Sequence, residues 1–552
     1  MPLPVRPVAA VAALLLASAA AAQVAPALPA PPPVEQTLAD IRDGRHGSAA
    51  NVLDGYLGQI RTYDQQASND ANGARLALNS VIALNPNARA EAQTADRARA
   101  AGRSLGPLHG VAILIKDNIE TRELPTTAGS LALLANDTRR DAPIVARLRA
   151  AGAIVLGKAN LSEWANIRST RSSSGWSAVG GLVRNPYVTD RTACGSSSGS
   201  AAAVAANFAP AAIGTETDGS IVCPAAQNGI VGFKPTVGLL SRTHIVPISH
   251  SQDTPGPMTR TVADAALLLT VMAGTDPADA ATAEADRRRV DYSAALNMDA
   301  LRGRRLGVMR FAAGYNPDVD ALFDRAVADL RASGAEVVEI TAFEGLGDIG
   351  RDELTVLLHE LKSDMNAYLA TTPRAVRSRT LADLIAFNRA NAAQEMPFFG
   401  QELFERAEAT NGVADAAYRV ALENSRRRAR DGMTALIAQH RLDGFVAPTT
   451  SPAWTVDLLN GDNGSGSAAR LPAVAGWPHL TVPMGRVRGL PVGLSLIGPA
   501  WSDAQVLAMG YAYEQRTRHR QPPRFLRTIE AQTEVSGSTR PVRLPAALEP
   551  TR

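Results

Sequence analysis

The sequence predicts an α/β fold, and three observations carry the prediction. Short apolar runs of strand length alternate with longer amphipathic stretches of helical period. Glycine-rich loops open directly into small-residue runs that suit closely packed helices, as in Cys194-Gly-Ser-Ser-Ser-Gly-Ser200 followed by Ala201-Ala-Ala-Val-Ala-Ala206. The composition, 45% hydrophobic and 20% charged over 552 residues, is that of a globular chain large enough for one big domain or two smaller ones.

Taken in order, amphipathic patterns at 41–67 and 74–84 predict a helical lead-in. Strand candidates follow at 111–115, 154–156, 211–214, 230–233, 305–309, 336–340, 444–447, 480–483 and 493–496. Helical periodicity occupies 320–332, 353–369, 414–440 and 503–515. No internal repeat is present, and one domain over 36–527 accommodates these elements. The helix-rich stretch 346–430 lies outside every motif described below, so it is read as a cap on the substrate side or as scaffold.

The ends read differently. Arg6, the apolar run 8–17 and the small residues Ala20-Ala-Ala22 form the pattern of a secretory signal peptide over 1–22, which places the mature protein in the periplasm or outside the cell. Residues 23–35 are an Ala/Pro-rich spacer, with Pro31-Pro-Pro33, and 528–552 a polar tail. A formal charge of +3 is negligible at this length. The runs Arg287-Arg-Arg289 and Arg426-Arg-Arg428 lack interleaved aromatics and read as solvated helix faces, so no nucleic-acid partner is expected. The histidines are scattered without metal-ligand spacing, and neither metal nor cofactor is expected.

The chemistry is signalled by lysine scarcity. Among 56 Lys+Arg residues only Lys116, Lys158, Lys234 and Lys362 are lysines. Lys116 ends an apolar strand candidate, where desolvation favours the neutral amine, a base that arginine cannot supply. The plain alternative is an ion pair with Asp117. Two serine-bearing loops follow, 194–200 and Thr215-Glu-Thr-Asp-Gly-Ser220, and glycine-rich turns of this kind can present main-chain N–H groups to a developing oxyanion. Lysine, bridging serine and nucleophilic serine would make a proton relay without histidine.

The order Gly110-Val-Ala-Ile-Leu-Ile-Lys-Asp-Asn118, Gly195-Ser-Ser-Ser-Gly-Ser-Ala-Ala-Ala203, Thr217-Asp-Gly-Ser220 and Gly232-Phe-Lys-Pro235 resembles the amidase signature family of Ser-Ser-Lys hydrolases. Within it the bacterial peptide amidases are most similar, through Asn160-Leu-Ser-Glu-Trp-Ala-Asn166, Ser174-Gly-Trp-Ser177, Ser251-Gln-Asp-Thr-Pro-Gly-Pro257 and Ala447-Pro-Thr-Thr450. The resemblance implies a large mixed β-sheet flanked by helices on both faces. It implies Lys116 as base, Ser196 as bridging serine on a cis peptide bond, and Ser220 as acylated nucleophile. The oxyanion donors would be the main-chain N–H groups of Thr217, Asp218, Gly219 and Ser220. The substrate implied is a small-molecule or peptide amide, with C-terminal carboxamides of peptides foremost; Asn166 and Ser174–Ser177 are candidates for the wall past the scissile carbonyl, with Trp176 either wall or core.

Two positions depart from the family. Asp218 and Ser198 stand where glycines are common, which would bring side chains toward the acyl pocket; for Asp218 the favoured reading is a hydrogen bond within its own turn. Cys194 and Cys223, each within three residues of a proposed catalytic serine, are read as free packing residues, with a disulfide as the alternative. A rival assignment takes Gly195-Ser-Ser-Ser-Gly199 as a G-x-S-x-G elbow with Ser197 as nucleophile of an α/β-hydrolase-type esterase. It requires a strand immediately before the elbow, and the polar, proline-broken 185–192 does not supply one.

Overall fold

A computed structural model describes residues 35–65 and 77–531. The signal peptide and nearly all of the spacer, together with residues 532–552 of the tail, lie outside the described residues.

The strands, in chain order, are β1 (Val81–Leu84), β2 (Ala112–Lys116), β3 (Ile154–Ala159), β4 (Trp176–Ser177), β5 (Gly181–Leu182), β6 (Ala211–Glu216), β7 (Val231–Lys234), β8 (Thr254–Thr259), β9 (Arg305–Met309), β10 (Glu336–Ile340), β11 (Gly444–Pro448), β12 (His479–Val487) and β13 (Leu490–Ile497). All but the small β4/β5 pair join one 11-stranded sheet in the order β1-β3-β2-β6-β8-β7-β12-β13-β11-β9-β10. Parallel pairing is confined to β3-β2-β6 on one side and β11-β9-β10 on the other, while the centre is antiparallel, so the sheet is mixed. Helices cover both faces, as the α/β assignment expected.

β2, β3 and β6 are buried along their whole length, which is why they read as unbroken apolar runs. The helix Ser198–Ala205 is buried at every residue, and only side chains as small as its alanines let a helix lie that close to the sheet.

Two sequence expectations are corrected, and one strand carries no sequence signal. Residues 74–84 are not a helix: 74–76 lie outside the described residues, 77–80 are extended chain, and Val81–Leu84 is edge strand β1. Its apolar residues fit either period over so short a span. The lead-in at 41–67 breaks around Gly44 and Gly47, both at positive φ, into Leu38–Arg42 and a helical run over Ala49–Gln59 and Ile60–Gln65, while 66–67 lie outside the described residues. Strand β8 has no counterpart among the strand candidates because Pro255 and Pro257 argue against a central strand. Both prolines share one side of β8, and along that side β7 pairs only with Met258 and Thr259, so their missing N–H groups cost the ladder nothing.

Candidate active site

Lys116 closes β2 with no exposed surface. Its Nζ lies 2.8 Å from Ser196 Oγ, 2.8 Å from Thr215 Oγ1 and 3.2 Å from the Thr215 carbonyl oxygen. The Asn118 amide also donates to Thr215 Oγ1, at 3.0 Å. Stripping water from the amine pushes its pKa down to about 7, against the opposing pull of the Asp253 and Glu216 charges. Asp117 is not its partner. That carboxylate pairs instead with buried Lys158 at 3.2 Å and accepts from Thr127. Asn118 and Thr215 stand inside the quoted motifs, yet their part in holding the amine is not legible from sequence.

The loop after residue 193 presents Ser196 on a cis Gly195–Ser196 peptide bond, and the Ser162 N–H donates to the Ser196 carbonyl at 3.0 Å. A Cβ at Gly195 would fall 2.1 Å from Ser162 Oγ, so only glycine fits that approach. Ser198 does not reach the acyl pocket: its hydroxyl donates to the Cys194 carbonyl at 2.5 Å, within the loop. Ser197 is also committed. Its hydroxyl donates to the Thr215 carbonyl at 3.1 Å and accepts the Thr215 N–H at 3.2 Å, and no strand precedes it, which removes the structural basis of the elbow rival.

Ser220 lies at the mouth of the helix Val222–Gln227. Its carbonyl accepts the Ser197 N–H at 3.1 Å, which sets the two serine loops side by side. Glu216 braces the turn from below, one carboxylate oxygen accepting from the N–H groups of Ile221 and Val222 at 2.8 and 3.0 Å. Gly219 takes φ +82°, a left-handed conformation that costs glycine little. Among the described residues, the N–H groups of Thr217, Asp218, Gly219 and Ser220 donate to no protein acceptor. The expected turn bond of Asp218 is absent. Its carboxylate points instead to Arg470, 3.8 Å away, and Arg470 also holds Glu353 of the helix Leu346–Ala370 at 2.9 Å. Burial and the nearby Asp218 charge push Glu353 up to about 8. The segment 346–430 therefore reaches the edge of the serine loops.

A cavity of about 340 Å³ opens beside the amine, bordered by Asn118, Thr215, Thr217, Asp253, Ile248 and Ala165. Trp164, Ala165 and Asn166 all sit at positive φ (51°, 53° and 78°), a region non-glycine residues seldom occupy and one associated with functional sites. The Asn166 amide donates to Ser174 Oγ at 3.0 Å, and that hydroxyl donates to Asp462 at 2.5 Å. Trp176 is buried edge-on against Phe398 and Phe399. The fold also gathers His250, Glu360 and Asp364, the one group among the described residues with metal-ligand spacing. Within it Glu360 takes the hydroxyls of Ser249 and Tyr418 and the Ser251 N–H, and Asp364 takes His250.

The free-cysteine expectation is overturned. Cys194 and Cys223 form a disulfide, with Cα atoms 6.0 Å apart, stapling the first serine loop to the helix that follows the second. Closing a loop of this length stabilises a fold by roughly 3–4 kcal/mol in the chain-entropy account. Cys194→Ser/Cys223→Ser is therefore expected to lower the unfolding free energy by about that amount in denaturant titration; an unchanged midpoint would show that the bridge adds no stability.

Comparison with known proteins identifies the family. The amidase family profile matches residues 65–507. A native peptide amidase from Stenotrophomonas maltophilia superposes with a TM-score of 0.84 at 49% identity, covering 90% of this chain and 99% of its own. An amidase family protein from Bacillus anthracis superposes with a TM-score of 0.79 at 34% identity, covering 89% of this chain and 92% of its own. A probable amidase of Arabidopsis thaliana is 41% identical over 460 residues, 81% of this chain and 85% of that protein. The chain belongs to the amidase family and is an amide-hydrolysing enzyme.

Proposed function

We propose that the chain hydrolyses C-terminal carboxamides of peptides, R-CO-NH2 to R-COOH and ammonia, through a Ser-Ser-Lys relay. The observation that carries the relay is the desolvated Lys116 amine 2.8 Å from Ser196 Oγ. In its neutral form the amine has a lone pair that accepts the Ser196 proton. Ser196 in turn takes the proton of Ser220 as Ser220 Oγ attacks the amide carbonyl. The tetrahedral oxyanion is met by the unpaired N–H groups of the 217–220 loop, where one donor is typically worth about 10²–10³ in rate. Ser196 then returns a proton to the departing nitrogen, because amide anion is too basic to leave. Water, deprotonated by the same relay, cleaves the acyl-enzyme and regenerates Ser220.

The peptide-amide reading draws on the likeness to peptide amidase, one structure of which holds the competitive inhibitor chymostatin. A substrate site for such amides must accept an extended acyl chain and end just beyond NH2. The left-handed turn at 164–166, tied through Ser174 to Asp462, is a rigid candidate for that end wall, with Trp176 as the core that backs it. The signal-peptide pattern adds export, so the enzyme would meet peptides in the periplasm or outside the cell.

Three outcomes test this. Ser220→Ala should abolish turnover and labelling by a serine-directed acylating reagent, and Lys116→Ala and Ser196→Ala should cut kcat by orders of magnitude with the circular dichroism unchanged. Because Lys116 must be neutral, kcat/KM in wild type should rise with pH through about 7 and level off above it. A flat profile across pH 6 to 8 would remove lysine as the base.

Incubation of an amidated peptide should release ammonia and leave the chain one mass unit heavier, with internal bonds intact. Internal cleavage, or turnover of small aliphatic or aryl amides alone, would defeat the substrate reading and leave the amidase assignment standing.

Intact-mass measurement on exported protein should place the mature N-terminus near Gln23. Retained Met1 would refute processing.

A further inference from the structure

Asp253 lies just before β8, half-buried beside the oxyanion loop, and the relay described above assigns it nothing. One carboxylate oxygen accepts the Thr217 hydroxyl at 2.6 Å. The other accepts the N–H groups of Ile248 and Ser249 at 2.8 and 2.9 Å. Its neighbour Gln252 donates through Nε2 to the Thr217 carbonyl at 3.3 Å and to Glu353 Oε1 at 2.9 Å. Thr217 is thus gripped at both its side chain and its main chain. In a planar trans peptide the C=O and the following N–H point in opposite directions. Turning the Thr217 carbonyl toward Gln252 therefore turns the Asp218 N–H to the other side, among the donors of the 217–220 loop.

Asp253 also lies on the side of the residue that holds the base. It borders the same cavity as Thr215, the residue that holds the Lys116 amine, and with Glu216 it is one of two carboxylates whose charge bears on that amine. Glu216 has one oxygen engaged by Ile221 and Val222 and feels the charge of Lys234. The other charged groups around Asp253 are paired among themselves: Arg242 with Asp279, and His250 with Asp364. Asp253 has no such counter-ion within ion-pair distance among the described residues.

We infer that Asp253 is a positioning residue of the hydrolytic centre, fixing the oxyanion loop through Thr217 while its negative charge acts on Lys116. The inference rests on the relay reading. It separates two effects of one side chain, and each has its own readout. Burial lifts the Asp253 carboxyl to about 6, so at the pH where Lys116 loses its proton the carboxylate is largely ionised.

The test is the pH dependence of kcat and KM for wild type, Asp253→Asn, Thr217→Val and Thr217→Ser on one carboxamide substrate. Asp253→Asn keeps the shape and removes the charge. Its acid limb should move to lower pH by about half a pH unit or more, since an opposite charge no longer favours the ammonium form. Thr217→Val cuts the tether and leaves the carboxyl group in place, so kcat on the plateau above the acid limb should fall at least about tenfold with KM little changed. Thr217→Ser should restore most of the lost kcat. An unmoved limb in Asp253→Asn overturns the electrostatic role, and undiminished kcat in Thr217→Val overturns the positioning role. Should Asp253→Asn fail to fold, judged by circular dichroism, Asp253→Ser supplies the same limb readout. Failure of the relay itself looks different: wild type would then show no acid limb near pH 7, or Lys116→Ala would keep its activity.

Discussion

The amine of Lys116 has lost its water and has no carboxylate within ion-pair distance among the described residues, and the polar architecture around it answers that desolvation. A buried ammonium without a counter-ion is expensive, so the proton leaves and the group becomes a base near neutral pH. The neutral amine still needs hydrogen-bond partners, and Ser196 and Thr215 supply them. Everything downstream follows from keeping those partners in place. Asn118 holds Thr215, Ser197 pins the Thr215 main chain, and Ser162 holds the Ser196 carbonyl.

The same physics explains the lysine usage. Lys116, Lys158 and Lys234 are all fully buried, and each ends or lies within a central strand, where a long apolar stem crosses the core and a small head meets specific oxygens. Lys158 meets Asp117, the Ile119 carbonyl and Thr126. Removing one partner of such a buried pair would strand the other charge, at about 3–5 kcal/mol. This pair also explains why Asp117, next to Lys116 in sequence, never quenches it. Successive residues leaving a strand point to opposite faces, so neighbours in sequence serve different clusters.

The serine loops are held by long-range ties and have little regular structure of their own. A disulfide joins them from below, Glu216 braces the 217–220 turn, and Asp253 and Gln252 grip Thr217 from the side. The helix-rich segment 346–430 completes the frame. Glu353 meets Arg470 and Gln252, and Glu395 accepts from Ser130 and Leu131. It packs as scaffold and borders the serine loops. Rigid supports of this kind leave donors oriented before substrate arrives, which is what electrostatic catalysis requires.

Local sequence determined the α/β class and most of the strands and singled out Lys116 and the two serine loops as candidates, because each signal is short-range, while the roles proposed for Ser196 and Ser220 came through the family resemblance. An apolar run of five residues ending in lysine marks a buried strand end, and glycine-serine loops mark where backbone can approach a ligand. The mixed order of the sheet came only through the family resemblance, since pairing partners lie far apart in sequence. Tertiary structure alone decided the rest. The Cys194–Cys223 bridge depends on whether two loops converge, and Asp218 found Arg470 instead of its own turn because residue 470 arrives from another layer. Strand β8 hid behind its prolines until β6 and β7 showed which side carried the ladder. Asp253 looked like one acid among 53 in the sequence; only the fold sets it against Thr217 and within reach of the Lys116 charge, because burial and proximity are properties of the packed chain.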